Sequence, residues 1–295
     1  MPQRTSLADA DCAIAQALDV VGDWWTLLIV RDTARGVHRF DALQQELGVS
    51  RKVLTERLRL LVDAGVLSRE PYQDRPPRYE YRLTTRGRAL LPVLIALQDW
   101  GDTWVLGEGE TMATTAEASK EAARVHALVG TRLPELRLLD HDGAPRDPVA
   151  GTPYTVLYFF PGAYARRDAY PPGWAGIPGA SGCTLESCTY RDRSAEFAAA
   201  GATVHGVSTQ RPDEQRAFAD AERLRFPLLS DAELELTAAL RLPTFRAGGT
   251  SRLKRLTLVV DRDRTVREAL YPITDIEASV RAALAAVRNG GPPGA

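Results

Sequence analysis

The sequence predicts two domains in tandem: an α+β helix-turn-helix unit with a β-hairpin, then an α/β unit. Three observations carry this. The chain of 295 residues is long for one compact domain and comfortable for two. The first hundred residues read as helix, helix, helix, hairpin, helix. From about Val125, strand-like apolar runs alternate with helical patterns, the signature of a sheet with helices on both faces. Between the two, residues 106–124 are small, polar and free of aromatics, which predicts a linker. The expected division is 1–105 for the first domain, 106–124 for the linker, 125–290 for the second domain and 291–295 for a tail.

Each element has a local cause. Apolar residues recur at helical spacing from Cys12 to Asp32, with Gly22 as a weak point. Phe40 to Leu47 is a short amphipathic helix ending at Gly48. Ser50 is a good N-cap for the next helix, Arg51 to Ala64, which puts Val53, Leu54, Leu58, Leu61 and Val62 on one face. Gly65 fits the position just past a helix end. Val66 to Arg69 and Tyr79 to Leu83 are strand-like, joined by the Pro- and Arg-rich stretch PYQDRPPR. Thr85 to Trp104 reads as one long apolar-striped helix. In the second half, Tyr154 to Phe160 reads as a buried strand, Thr184 to Ala200 as a helix stopped by Gly201, and Thr203 to Ser208 as a strand. Pro212 to Leu224 is a helix with proline in its first turn. Leu256 to Val260 and Val266 to Tyr271 form a hairpin, and Ile276 to Val287 a closing helix.

Composition narrows the class. A hydrophobic fraction of 44% with 25% charged residues is that of an ordinary globular chain and argues against disorder. Basic and acidic residues nearly cancel, 37 against 38, so total charge predicts no partner. From Arg35 to Arg88, however, twelve basic residues stand against seven acidic ones. Such a bias suits a nucleic-acid contact surface or a solvated helix face. The most apolar runs, Trp24 to Val30 and Leu90 to Leu97, fall well short of the ~20 residues a bilayer span needs, so no membrane partner is expected. The start, MPQRTSLADADC, has no apolar signal-peptide core, which predicts a cytoplasmic protein. In that reducing compartment three cysteines are expected to be catalytic, sensory or plain core residues rather than a disulfide framework.

In a helix-turn-helix, the second helix enters the major groove with its N-terminal residues facing base edges. Arg51 to Ala64 is that candidate. Its polar face offers Arg51, Lys52, Thr55, Glu56 and Arg59 to bases and phosphates. Arg75 and Arg78 sit at the hairpin tip, suited to a backbone or minor-groove contact. A helical hairpin with solvated basic residues is the plainer alternative. The segments CAIAQALDVVGDWWTLLIVRD, HRFDALQQELGVSRKVLTERLRLLVDAGVLSRE and PPRYEYRLTTRGRAL, in this order, resemble the HxlR-type winged-helix regulators over about residues 10–104. The resemblance implies an α+β winged helix-turn-helix fold, a homodimer built from the first and last helices, and a double-stranded DNA operator as partner. It also sets Cys12 where a cysteine that senses electrophiles or oxidants often stands. A small buried hydrophobe is the other reading of Cys12. Trp24 and Trp25 are assigned to core packing.

The informative stretch of the second half is IPGASGCTLESCTYRD. Cys183 follows a Gly/Pro-rich loop and opens a helix, where unpaired amides and the macrodipole favour a thiolate. A thiolate attacks an O–O bond and becomes a sulfenic acid. Cys188 lies five residues on. An intact helix sets the two Cα atoms roughly 8 Å apart, whereas a disulfide needs less than about 7 Å. If Cys188 resolves the sulfenic acid, the first turns of the helix must unwind. Two unrelated buried cysteines are the alternative. No metal is expected, since zinc needs four ligands and only His205 is near in sequence.

The segments VGTRLPELRLLDHDG, TVLYFFP, GCTLESCTYRD, FPLLSD and KRLTLVVD resemble, in order, the Q-type peroxiredoxins, also called bacterioferritin comigratory proteins, over about residues 128–288. The resemblance implies an α/β thioredoxin-like (peroxiredoxin) domain. It implies reduction of hydrogen peroxide or organic hydroperoxides, a thioredoxin-like reductant and no cofactor. Cys183 then matches the peroxidatic cysteine, Cys188 the resolving one, and Arg255 the arginine beside the peroxidatic sulfur, whose charge lowers the thiol pKa. A strand-borne surface arginine is the other reading of Arg255. The chain departs from the family motif in that Gly176 and Ala180 stand seven and three residues before Cys183, where the family has Pro and Thr. Ser181 is the substitute for the missing hydroxyl, and residues 162–179 look like an insertion. Three functional readings follow. One is a redox-responsive regulator with its own peroxidase, oxidation passing from Cys183 to Cys188 or by exchange to Cys12. Another is a peroxidase whose winged-helix module binds DNA without redox coupling. The last is a sensor that has lost turnover.

Overall fold

Gly22 ends the first helix instead of sitting inside a longer one. Helix α1 (Ala13–Val21) stops there, and Asp23 caps a second helix by accepting the Trp25 amide at 3.0 Å. That second helix is α2 (Trp24–Ala34), set at 73° to the first. The computed structural model describes residues 11–107 and 109–290, so the tail expected over 291–295 lies outside the described residues. The chain divides into two units, Met1–Leu94 and Ile95–Ala295.

In the first unit α3 (Phe40–Leu47) ends at Gly48, whose φ of 62° is left-handed. Ser50 caps α4 (Arg51–Asp63) as expected, accepting the Val53 amide at 3.4 Å. The two strands run longer than the sequence suggests: β1 (Leu67–Gln73) pairs antiparallel with β2 (Arg78–Leu83) in the register Leu67 to Leu83. Only residues 74–77 form the tip, because alternating side chains through Tyr72 and Tyr79 keep the ladder going. Ile29, Leu43, Leu54, Leu58 and Leu61 fill the core at 0–1% exposure, joining α2, α3 and α4 against β1. This is a winged helix-turn-helix. Trp25 packs partly against that core, but Trp24 is 64% exposed and stacks on Trp25 at 4.4 Å, so the core assignment of Trp24 does not hold.

The single helix expected over Thr85 to Trp104 is three pieces. They are α5 (Thr85–Arg88), α6 (Leu91–Trp100) and a π-helical turn at Gly101–Val105. Pro92 explains the first break, since a proline belongs in a helix's first turn and not in its interior. The structural division at 94/95 precedes the expected one, and residues 106–124 make specific contacts within the second unit. There the Ala113 amide donates to the Pro178 carbonyl at 2.9 Å, and Glu121 pairs with Lys254 at 2.9 Å. Asp102 pairs with Arg124 at 2.7 Å, and Asp99 accepts the hydroxyls of Thr244 and Ser251.

From α7 (Lys120–His126) the second unit continues through β3 (Leu138–Asp140), β4 (Pro145–Arg146), β5 (Tyr154–Phe159), α8 (Cys183–Asp192) and α9 (Ser194–Ala199). It goes on through β6 (Ala202–Ser208), α10 (Pro212–Glu222), β7 (Leu228–Ser230), α11 (Glu235–Leu240), β8 (Thr244–Ala247), β9 (Thr250–Leu253), β10 (Leu256–Asp261), β11 (Val266–Leu270) and α12 (Ile276–Asn289). Seven strands form one mixed sheet in the order β11-β10-β5-β6-β7-β3-β4, with β5, β6 and β7 parallel. All six residues of β5 are buried, as a central strand covered on both faces requires. One face carries α8, α9, α10 and α12 through Tyr190, Phe197, Phe218 and Val280. The other carries α7 and α11 through Val125 and Leu236. This sandwich puts the start of α8 at the carboxyl end of β5.

Candidate functional site

Helix α8 begins at Cys183 because Gly182 turns the chain there. Gly182 has φ of 105°, and a Cβ on it would stand 2.6 Å from Ile276 Cδ1. Only glycine meets both demands. Cys183 is 2% exposed. Its Sγ lies 3.6 Å from Arg255 Nη2 and 3.6 Å from the Ala180 carbonyl. Arg255, at the entry to β10, also donates to the Ser181 carbonyl at 3.0 Å and pairs through Nη1 with Glu186. Three of the sequence-derived site residues, Cys183, Ser181 and Arg255, thus converge. Ser181 reaches the guanidinium through its carbonyl oxygen, and the residue borders the pocket described below. Arg255 is 4% exposed, which removes the surface-arginine reading.

The electrostatics differ from the expectation that a helix start and a guanidinium leave Cys183 ionised near neutrality. Burial pushes the Cys183 thiol up, Arg255 pulls it down, Glu186 pushes it up and a hydrogen bond from the Gly162 amide pulls it down. The net direction is upward. The reason is that the sulfur is almost fully buried and shares its cation with a carboxylate. Glu186 is itself fully buried. Burial pushes its carboxyl up to about 7 against the pull of Arg255, and its Oε1 has no hydrogen-bond partner. A proton on Glu186 removes the negative charge beside the sulfur, so the protonation of Glu186 sets how much of the Arg255 field reaches Cys183.

Sequence reasoning missed Glu186, Gly162 and Gln210. Glu186 was findable, because three residues beyond Cys183 on a helix is the same side. Gly162 and Gln210 were not. Gln210 clamps Ala163 from both sides, donating to its carbonyl at 2.8 Å and accepting its amide at 2.8 Å. That clamp fixes the strand end Pro161–Gly162 beside Cys183, although 20 residues lie between Gly162 and Cys183. The intervening segment leaves and returns, closing one side of a pocket of about 620 Å³ on which Tyr170, Trp174, Ser181, Cys183 and Thr184 border.

Cys188 lies on α8 with Cys183 and is partly buried. Its thiol donates to Glu222 at 3.3 Å, and burial with that carboxylate pushes it up to about 11. Both sulfurs are free, on one intact helix. Below α8, Tyr158 donates to Ser187 at 3.0 Å and Tyr190 pairs with Thr257 at 3.1 Å. His205 sits in β6 with Nδ1 against the Pro148 carbonyl at 2.8 Å.

In the first unit, Arg51, Lys52, Thr55, Glu56 and Arg59 are exposed on α4, and Arg75 and Arg78 are exposed on the wing. Arg51 is held by Asp41 at 3.1 Å and Arg59 by Asp63 at 3.5 Å, while Thr55 Oγ1 donates back to the Arg51 carbonyl at 2.7 Å. Lys52, Arg75 and Arg78 have no ion-pair partner among the described residues. Cys12 is exposed at the N-cap of α1, so its reading as a buried hydrophobe does not hold. No single helix among the described residues is long and apolar enough to cross a membrane.

Comparison with known proteins also gives two separate matches. Residues 20–108 match the HxlR-like helix-turn-helix family, and residues 177–269 match the AhpC/TSA family. Over 93 residues the chain is 45% identical to an uncharacterized HTH-type transcriptional regulator of Mycobacterium tuberculosis, covering 32% of this chain and 59% of that protein. The chain therefore spans about three fifths of the length of that regulator. Over 161 residues it is 31% identical to a protein of the same species named with the peroxiredoxins, covering 54% of this chain and 95% of that relative. The crystal structure of peroxidoxin BcpB from Mycobacterium tuberculosis matches at 32% identity over 55% of this chain and 96% of that one, with a TM-score of 0.44. The chain belongs to two families at once, an HxlR-like helix-turn-helix regulator in its first part and an AhpC/TSA peroxiredoxin of thioredoxin-like fold in its second.

Proposed function

We propose that this chain is a redox-responsive transcriptional regulator with its own thiol peroxidase. The observation that carries the enzymatic half is the sulfur of Cys183 at the head of α8, 3.6 Å from a buried guanidinium and bordering a pocket. The Cys183 thiolate attacks one peroxide oxygen. An S–O bond forms, the O–O bond breaks, and the leaving oxygen takes a proton to depart as water or an alcohol. Arg255 and the Gly162 amide face the sulfur, where they stabilise its charge. The thiol of Cys188 then attacks the sulfenic sulfur, expelling water and forming the disulfide. A thioredoxin-like dithiol returns both sulfurs to thiols and is itself oxidised to a disulfide. The Cys183–Cys188 bond requires the first turns of α8 to open.

That opening is what supports coupling to transcription. The carbonyl of Pro178 holds the Ala113 amide, and Ala113, Trp174, Ala180 and Phe245 form one apolar cluster. Lys254, next to Arg255, holds Glu121. The residues just after the helix-turn-helix unit in sequence are thus fastened to the loops that must move when α8 unwinds. The DNA-facing half rests on Lys52, Arg75 and Arg78, exposed on α4 and the wing. A homodimer on a double-stranded operator in the cytoplasm completes the reading, and the exposure of Ile14 and Leu18 on α1 supports it. The test is peroxide consumption with thioredoxin, alongside operator binding before and after a stoichiometric peroxide dose. Turnover with peroxide-sensitive binding is the expected result. Turnover with binding indifferent to peroxide selects an uncoupled peroxidase, and no turnover removes the enzyme.

A further inference from the structure

We propose that Glu222 is the general base of the resolving step, taking the thiol proton of Cys188 as that sulfur attacks the sulfenic acid on Cys183. The inference deepens the peroxidase reading and rests on Cys188 as its resolving residue. The contact is already made in the reduced fold. Cys188 Sγ donates to Glu222 Oε2 at 3.3 Å, across 34 positions of sequence. Both side chains are half-buried, Cys188 in the second turn of α8 and Glu222 as the last residue of α10. A general base must first be within hydrogen-bond reach of the proton it takes, and Glu222 meets that demand.

The Glu222 carboxylate forms no ion pair among the described residues. Arg191 gives its guanidinium to Asp192 at 2.8 Å and to the backbone carbonyl of Glu222 at 2.6 Å instead. A glutamate in the last turn of a helix also faces the negative end of the macrodipole, so helix stability does not favour it there. The charged groups that face Cys188 are Glu222 from α10, and Arg191 and Asp192 from its own helix. Burial, the hydrogen bond to Glu222 and the two carboxylates outweigh the arginine and push the thiol up to about 11. At neutral pH that leaves roughly one molecule in ten thousand with a free thiolate. The thiolate is the nucleophile, so attack through that fraction alone is slow. A base in contact with the thiol removes the need for it.

The half of α8 that carries Cys188 is the anchored half. Ser187 accepts the Tyr158 hydroxyl at 3.0 Å, and Tyr190 is fully buried, stacks on Tyr158 at 4.5 Å and pairs with Thr257 at 3.1 Å. With Arg191 tied to the end of α10 as well, opening the first turns of α8 brings Cys183 to Cys188 and leaves Glu222 in place beside it. The Cys188 thiol proton then passes to Glu222 Oε2 while the S–S bond forms and the S–O bond of the sulfenic acid breaks. The leaving hydroxide takes a proton from solvent, and Glu222 returns its proton to solvent. The balance is thiol plus sulfenic acid to disulfide plus water, with the Cys188 sulfur oxidised and the Cys183 sulfur reduced.

The experiment uses the full chain with Cys12→Ser, so that only the two sulfurs of α8 react. A stoichiometric dose of hydrogen peroxide is followed by rapid acid quench and mass spectrometry. These read the loss of the Cys183 sulfenic acid and the growth of the Cys183–Cys188 disulfide from about pH 6 to about pH 8. With Glu222 as base, the logarithm of the resolution rate is expected to stay nearly level with pH. Attack by free thiolate alone instead raises it with a slope of one. Glu222→Gln is expected to slow resolution roughly tenfold at pH 7 and to give that slope of one. Loss of a negative charge by itself makes the thiol easier to ionise and speeds the step, so a purely electrostatic role moves the rate the other way. A slope of one in the chain with Glu222 intact overturns the inference and leaves the peroxidase standing. An unchanged or faster resolution in Glu222→Gln does the same. A sulfenic acid that never yields the Cys183–Cys188 disulfide overturns the resolving role of Cys188 beneath it, and the inference with it.

Discussion

Replacing Arg255 with glutamine tests the electrostatic core of the site. Arg255 Nη2 lies 3.6 Å from Cys183 Sγ. At an effective dielectric near 20, a unit positive charge at that distance stabilises a thiolate by about 5 kcal/mol. Glu186 on the same guanidinium carries the opposite sign and offsets part of that. A net loss of about 1–3 kcal/mol corresponds to a thiolate population roughly 10- to 100-fold smaller at a given pH. The assay is the pH dependence of iodoacetamide alkylation of Cys183 in a variant with Cys12 and Cys188 replaced by serine. Arg255→Gln is expected to shift that profile to higher pH. The single substitution also strands Glu186 as a buried carboxylate without its cation, costing about 3–5 kcal/mol of stability. The double variant Arg255→Gln with Glu186→Gln removes both charges, so its stability is expected to recover part of that loss. A profile that stays put or moves to lower pH in Arg255→Gln, with the fold intact by circular dichroism, refutes the argument.

The same assay addresses Glu186 alone. As pH rises through about 7 its carboxyl ionises and disfavours the neighbouring thiolate, so Glu186→Gln is expected to move Cys183 alkylation to lower pH. Gly182→Ala forces a non-glycine residue to φ of 105° with its Cβ 2.6 Å from Ile276 Cδ1. A loss of about 1–3 kcal/mol in urea unfolding is expected, together with slower alkylation of Cys183. Asp140 is buried. Although burial pushes its carboxyl up, Arg146 and the amides of Ala144 and Asp142 pull it further down, so it folds with a depressed pKa. Its stabilisation is therefore present above the unfolded carboxylate range near pH 4 and lost as pH falls through the folded value. Asp140→Asn is expected to cost stability at pH 7 and little at pH 2, read by thermal unfolding. Lys52→Ala is expected to weaken operator binding nearly equally across sequences and reduce the salt slope by about one, read by fluorescence anisotropy.

Local chemistry made much of this protein legible in its sequence. Ser50 as a cap, Gly48 as a stop and the apolar stripe of α4 each act within a few residues, so the helices and the turn between them followed from spacing, while their reading as a DNA-binding unit came with the family resemblance. Cys183 as the first residue of a helix followed the same way, from the Gly-rich run before it. The strands β5 and β10 announced themselves by apolar runs, and β6 and β11 by shorter strand-like segments. The short strands β3, β4, β7, β8 and β9 did not, because two to four residues carry too little periodicity to distinguish a strand from a loop.

What tertiary structure alone decided is how distant segments meet. Residues 106–124 have the composition of a linker, yet Ala113 and Glu121 are held by Pro178 and Lys254, partners that sequence spacing does not reveal. Pro161–Gly162 returns to Cys183 because Gln210, from another strand end, clamps Ala163. The basicity of the Cys183 thiol was likewise outside the sequence's reach. A helix start and an arginine argue for ionisation, but burial of the sulfur and a carboxylate on the same guanidinium argue against it, and desolvation is a property of the packed interior rather than of neighbouring residues.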